Sequence, residues 1–197
     1  HGTVDLGVIC KDEAETALPI FRNLDVSGVL FGYRIATSSH DVKKEDLEAF
    51  GADLFFSRNP KDVQLAIAND VAAATINFPP GAVYERKASD PVRLWLDGDA
   101  VTFGSSAELT YKKEGHDSYR RHEFNNVAKP IEAGPFTKLL AKISALNQTF
   151  PANSQPFEIS LLTARGDRAA ARVIPTLESL GIKFNGPLYF VDGVNKS

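Results

Sequence analysis

Short apolar runs alternate with amphipathic stretches along most of the chain. That alternation predicts an α/β fold with a largely parallel sheet, each crossover being made by a helix. Residues 4–10 (VDLGVIC) read as a buried strand. From Asp12 the period becomes helical, with Ala14, Ala17, Leu18 and Phe21 on one face. A strand over 30–37 (LFGYRIAT) and a short helix over 43–51 closed by Gly51 follow. Next come a strand over 52–57 (ADLFFS), a helix over 60–71 with proline in its first turn, and a strand over 72–76 (AAATI).

Residues 77–91 (NFPPGAVYERKASDP) are proline-rich and polar and read as a connector to the strand VRLWLD, 92–97. The alternation lapses over 104–156, which holds a charged stretch (YKKEGHDSYRRHE, 111–123) and one amphipathic helix over 136–150. It resumes with the strand 157–163 (FEISLLT), a helix over 167–180 and a strand over 186–192. Four segments are therefore expected: an N-terminal α/β half over 1–76, the connector and its strand over 77–103, an insert over 104–156, and a C-terminal core segment over 157–197. A degenerate repeat links the ends. Shifted by 153 positions, Thr163 falls on Cys10, Gly181 on Gly28, Phe184 on Phe31 and Lys196 on Lys43. Shared α/β grammar would produce the same likeness without duplication.

Composition narrows the function classes. The 197 residues are 43% hydrophobic and 24% charged with a net charge of −3, which suits a soluble globular domain. No long basic stripe suggests a nucleic-acid polymer as partner. No apolar run reaches the length of a membrane span, and no signal-peptide pattern is present. The single cysteine, Cys10, cannot form an internal disulfide, so a reducing, cytoplasmic setting is expected.

The candidate chemistry sits in WLDGDAVTF, 95–103. Asp97 ends its strand, and reactive groups of parallel sheets collect at the carboxyl ends of strands. Gly98 removes bulk between Asp97 and Asp99 and lets the backbone bend. Two close carboxylates repel unless a cation compensates, and Mg²⁺ prefers such oxygen donors. A plain surface turn accounts for D-G-D equally well. Thr163, ending LLT, offers a hydroxyl to a phosphate oxygen or to a local cap. Lys196 could neutralise the acids or simply be a solvated lysine.

The order of acid pair, irregular insert, hydroxyl strand and lysine strand resembles the haloacid dehalogenase superfamily. More narrowly, AAATI (72–76), LWLDGDAVTF (94–103), KPIEAGPFTKLL (129–140) and LLTARG (161–166) are similar to the cytosolic 5′-nucleotidase type I family. The resemblance implies a Rossmann-like, mostly parallel sheet of haloacid dehalogenase type with a small, mainly helical cap insert. It implies hydrolysis of nucleoside 5′-monophosphates, with Asp97 as nucleophile and Asp99 as acid and base. Mg²⁺ would be held by the Asp97 carboxylate and the Asp99 carbonyl. Thr163 would bind the phosphoryl group and Lys196 would stabilise its charge. Gly98 and Arg165 become candidate substrate contacts. In the cap, Tyr111, Tyr119 and Phe124 could stack on a base, while His122, Asn125 and Asn126 could hydrogen-bond it. An oligomer is compatible with all of this.

One departure stands out. The superfamily carries an acidic pair on a later strand, and the chain ends at Ser197 ahead of one. The comparable strand in the first half, GADLFFSRNP, has Ser57 and Arg58 in that place. The expectation is that the natural protein continues; a truncated product with weak or no activity, or Asp53 or Asp62 completing the site, are the less favoured routes. A non-catalytic nucleotide- or phosphate-binding relative, or a phosphatase for another ester, remains the alternative.

Overall fold

Every strand ladder among the described residues is parallel, as the alternating pattern requires. In the computed structural model these are residues 4–38, 40–77, 79, 81, 87, 90–166 and 170–191. Most of the 77–91 connector, the start of the 167–180 helix, Asp192 and Lys196 lie outside them. The chain forms two compact units, residues 1–77 and 78–197.

The first unit holds β1 (Gly7–Cys10), α1 (Ala14–Val26), β2 (Tyr33–Ala36), α2 (Lys44–Phe50), β3 (Leu54–Ser57), α3 (Pro60–Ala68) and β4 (Ala72–Thr75). β1 pairs with β2, and β3 with β4. The expected apolar face of α1 is rotated: Ala17, Phe21 and Leu24 turn inward, whereas Ala14 and Leu18 are exposed. Their i, i+4, i+7 spacing makes one narrow stripe, all that a helix against a two-stranded ribbon can bury. α2 stops where expected, because Gly51 takes a left-handed φ of 56° and its N–H returns to Glu48 O at 2.9 Å. α3 starts at an Asn59 cap whose Oδ1 accepts from Lys61 N at 3.0 Å. It ends earlier than expected, because the chain turns through Asp70 (φ 60°) and Val71 N bonds back to Ala66 O at 3.0 Å. Val42, Leu47, Val63, Ala66 and Ala73 form the core of this unit.

The second unit holds β5 (Val92–Asp97), α4 (Ser106–Glu114), α5 (His116–Asn125), α6 (Thr137–Asn147), β6 (Phe157–Thr163), α7 (Val173–Ser179) and β7 (Leu188–Phe190). β6 is central, with β5 and β7 on either side. The insert is mainly helical, and Gly115 breaks its charged stretch into two helices. α6 is shorter than its periodicity suggests, since Asn147 turns its side chain to the sheet. Its Nδ2 donates to Phe157 O at 2.8 Å and its Oδ1 accepts from Phe157 N at 3.2 Å. Leu96, Phe103, Ile131, Leu140, Ile159, Leu161, Val173 and Leu177 belong to one buried cluster that fixes the carboxyl ends of β5 and β6.

The two strand–helix–strand passages that the repeat pairs do share features. Cys10 ends β1 and Thr163 ends β6. Gly28 and Gly181 both follow their helix with left-handed φ, 75° and 68°.

Candidate active site

Parallel register brings the two motif strands level: Asp97 stands beside Leu162, so Thr163 lies at the adjoining strand end. Asp97 is exposed, and its Oδ1 accepts from Gly98 N at 2.6 Å. Its carbonyl accepts from the Thr102 hydroxyl at 2.7 Å. Gly98 is buried against Thr163. A Cβ there would lie 2.6 Å from Thr163 Oγ1 and 2.9 Å from Thr163 Cβ. Close approach, beyond a sharp bend, is what requires this glycine. Gly98→Ala should destabilise the protein by about 1–3 kcal/mol through overpacking. Combining it with Thr163→Ala should restore part of the urea midpoint; an unchanged midpoint in the single variant would sink the close-packing account.

Past Asp99 the backbone doubles back through Ala100 (φ 62°, ψ 1°), and Phe103 N closes the turn on Gly98 O at 2.8 Å. A non-glycine residue in this region is strained, and the surroundings hold it there. Phe136 N bonds Val101 O at 3.1 Å, Gly104 N bonds Glu132 O at 2.8 Å, and the Thr137 hydroxyl bonds Thr102 O at 3.0 Å. Thus KPIEAGPFTKLL, one of the motif segments read from sequence, is the wall against which D-G-D-A-V is seated.

Asp99 faces a buried arginine. Arg165, fully buried, donates from Nε to Asp99 Oδ1 (3.1 Å) and Oδ2 (3.2 Å), and from Nη2 to Oδ1 (2.6 Å). Its third nitrogen, Nη1, reaches Glu123 Oε2 at 2.5 Å. Glu123 is 1% exposed and takes Arg172 Nη1 on its other oxygen at 2.8 Å. Arg172 also donates to the carbonyls of Lys129 (2.9 Å) and Pro130 (3.2 Å). Two buried cations and two carboxylates therefore alternate, as charges out of water must. Burial works to lower the Arg165 pKa, but the Asp99 hydrogen bonds and charge outweigh it and leave it raised. The Phe103 ring packs on this guanidinium, its centroid 5.8 Å from Cζ. Beside it, the Tyr119 phenol is pushed up to about 12 by burial, Arg165 opposing and Asp99 adding to the shift; it is a neutral donor at physiological pH.

Of the residues read from sequence, the structure brings Asp97, Gly98, Asp99, Thr163 and Arg165 together. Thr163 is fully buried, and its hydroxyl accepts from Arg165 N at 3.2 Å, a turn contact within LLTARG ahead of any described helix. Arg165 is no surface arginine; its guanidinium is engaged by Asp99 and Glu123. Lys196 lies outside the described residues. Asp62 is committed within the first unit to Lys11 Nζ (2.7 Å) and the Ser57 hydroxyl (3.0 Å). His122 and Asn125 line a groove of about 250 Å³ between α4 and α5 with Thr110, Glu114, Ser118 and Arg121. Tyr111 and Tyr119 meet edge to face at 6.2 Å, and Phe124 is exposed.

The oxygen donors of the D-G-D turn suit a hard divalent cation, which takes one or two carboxylates and fills its other positions with water and substrate phosphate. Among the described residues, no group of three or more His, Cys, Asp or Glu forms a protein cage.

Sequence reading missed Glu123 and Arg172. On α5 the inward stripe is Tyr119, His122, Glu123 and Asn126, at i, i+3, i+4 and i+7. The helical spacing was present in the charged stretch. Its residues are polar, so hydropathy gave no sign of a buried face.

Comparison with known proteins places the chain in a family. Human (Homo sapiens) cytosolic 5′-nucleotidase 1B is 27% identical over 198 residues, covering 98% of this chain and 32% of that protein. The chain thus spans about a third of the length of that relative. No solved structure matches it. The family model described as 5′-nucleotidase matches residues 1–197, the whole span that carries the D-G-D turn, its wall and the Thr163 strand, and the chain belongs to the 5′-nucleotidase family.

Proposed function

We propose that this chain is the core of a Mg²⁺-dependent phosphomonoesterase that hydrolyses nucleoside 5′-monophosphates to nucleoside and phosphate. The observation that carries this is the D-G-D turn at the mouth of β5, its glycine packed on Thr163 of β6, in a chain of this family. In the first step an Asp97 oxygen attacks phosphorus, the bond to the nucleoside O5′ breaks, and Asp99 gives its proton to that oxygen. In the second, water attacks phosphorus, Asp99 takes its proton, and the bond from phosphorus to Asp97 breaks. The same place serves leaving oxygen and attacking water in turn, so one acid–base group suffices.

Mg²⁺ held by the Asp97 carboxylate and Asp99 carbonyl would supply charge for the phosphoryl oxygens. Thr163 and the backbone of Gly98 would orient the phosphate, and Lys196 would add positive charge. Residues 104–156 act as the cap, where the groove bearing His122 and Asn125 is the candidate contact for the nucleoside. The relative's name is that of a cytosolic enzyme. Among the described residues, no helix is long and apolar enough to cross a membrane; a cytoplasmic location fits both.

Phosphate release from a panel of nucleoside 5′-monophosphates and other phosphate esters, with Mg²⁺ and with EDTA, tests the reading. Mg²⁺-dependent release, fastest with a nucleoside 5′-monophosphate, is expected. Faster turnover of a sugar or lipid phosphate would reassign the substrate. Silence from this chain and from a form extended beyond Ser197 would leave a nucleotide-binding relative.

A further inference from the structure

Glu123 has no place in the chemistry above, yet it is among the most deeply buried charged groups described, at 1% exposure. It comes from α5, within the cap, and its two oxygens are divided between Arg165 and Arg172. Arg165 uses its remaining two nitrogens on Asp99. A planar guanidinium with each nitrogen engaged cannot turn without breaking a charged hydrogen bond. Its plane therefore sets the plane of the Asp99 carboxylate. The grip is uneven: Oδ1 accepts two hydrogen bonds, at 2.6 and 3.1 Å, while Oδ2 accepts one at 3.2 Å. Oδ2 is the less engaged of the two oxygens.

We infer that Glu123 is a positioning residue for proton transfer: through Arg165 it orients Asp99, so that the seating of a cap helix governs how well the leaving group is protonated. This rests on the phosphomonoesterase reading for its functional consequence, though the mechanical link from Glu123 to Asp99 does not.

Arg172 anchors the far side. Held by the carbonyls of Lys129 and Pro130, it fixes Glu123 to the first residues of the wall that seats the D-G-D turn. The cap helix and the catalytic turn thereby share one reference point.

The test uses two esters. A nucleoside 5′-monophosphate leaves as an alkoxide and needs a proton, whereas p-nitrophenyl phosphate leaves as a stable phenolate and does not. General acid catalysis is worth roughly 10²–10⁴-fold, so Glu123→Gln should lower kcat/KM for the nucleotide, which reports the steps up to departure of the leaving group, about 10-fold or more. For p-nitrophenyl phosphate kcat/KM should fall by less than about 3-fold, whereas kcat on both esters also contains the second step, in which Asp99 is the base. Equal losses on both esters, or no loss on either, in a folded variant would overturn the inference. Should Glu123→Gln not fold, Arg172→Lys loosens Glu123 from its other side and carries the same comparison.

A second measurement needs no turnover. The ¹³Cγ resonance of Asp99 in the metal-free protein should move in Glu123→Gln, while that of Asp62, in the first unit, should not. An unmoved Asp99 resonance overturns the link. If neither the wild-type chain nor a form extended beyond Ser197 releases phosphate from either ester, the phosphomonoesterase reading fails by itself, and the resonance still decides whether Glu123 sets Asp99.

Discussion

Asp97→Asn is expected to abolish phosphate release, by on the order of 10⁴–10⁶-fold, the range seen when a catalytic nucleophile is removed. Asparagine keeps the shape of the side chain, and its Oδ1 can still accept from Gly98 N, where the aspartate bond is 2.6 Å. The carbonyl bond to Thr102 is backbone on the acceptor side and is untouched. What is lost is an anionic oxygen able to form and then release a bond to phosphorus, together with one carboxylate for the cation. Asp97 is exposed at its strand end, so its thermal midpoint should stay near that of the wild type. Loss of activity with retained folding separates chemistry from architecture. A variant that keeps more than about a tenth of wild-type release would place the nucleophile elsewhere.

Glu123→Ala carries the largest expected effect on stability. It leaves Arg165 with Asp99 alone and Arg172 with two carbonyls, both cations remaining buried. Removing one partner of a buried charge pair costs about 3–5 kcal/mol. For a chain of this length that is a fall in Tm of roughly 6–20 °C. Urea unfolding followed by fluorescence of Trp95, the single tryptophan, is a direct measure, because this residue lies on β5, the strand that ends in Asp97. Glu48→Ala is the matched control. Its side chain is 62% exposed and pairs with Lys44 on a helix surface, where salt bridges contribute little. If Glu123→Ala unfolds at the same urea concentration as Glu48→Ala, the buried ion network does not stabilise the fold and this account fails.

Much of the fold was legible without coordinates. β5 and β6 fall on the residues that the pattern assigns, Val92–Asp97 and Phe157–Thr163. Both are rich in apolar residues and bounded by turn chemistry; β5 alternates exposed Arg93, Trp95 and Asp97 with the more buried Leu94 and Leu96, the two-residue period of a half-buried strand. Helix ends were less legible. The ends of α3 and α6 depend on a left-handed Asp70 and on an Asn147 whose partner is 10 residues away, and periodicity does not register either. The inward face of α1 differs from the expected one for a related reason: Leu18 is apolar yet stays 46% exposed, and periodicity alone does not say which apolar stripe meets the ribbon.

The same division runs through the site. Local sequence determines the chemistry on offer: two acids around a glycine at a strand end, and a threonine ending the next motif strand. Side-chain type and short-range spacing suffice there, because a parallel ladder aligns strand ends without further instruction. Tertiary structure alone decides what those groups face. Arg165 and Asp99 are 66 residues apart, Arg165 and Glu123 42 apart, and Arg172 and Glu123 49 apart. No local pattern encodes such pairs. A glutamate on a polar helix carries the same letters whether it points to water or into a core. Only the packed chain, which must balance each charge it removes from solvent, distinguishes the two.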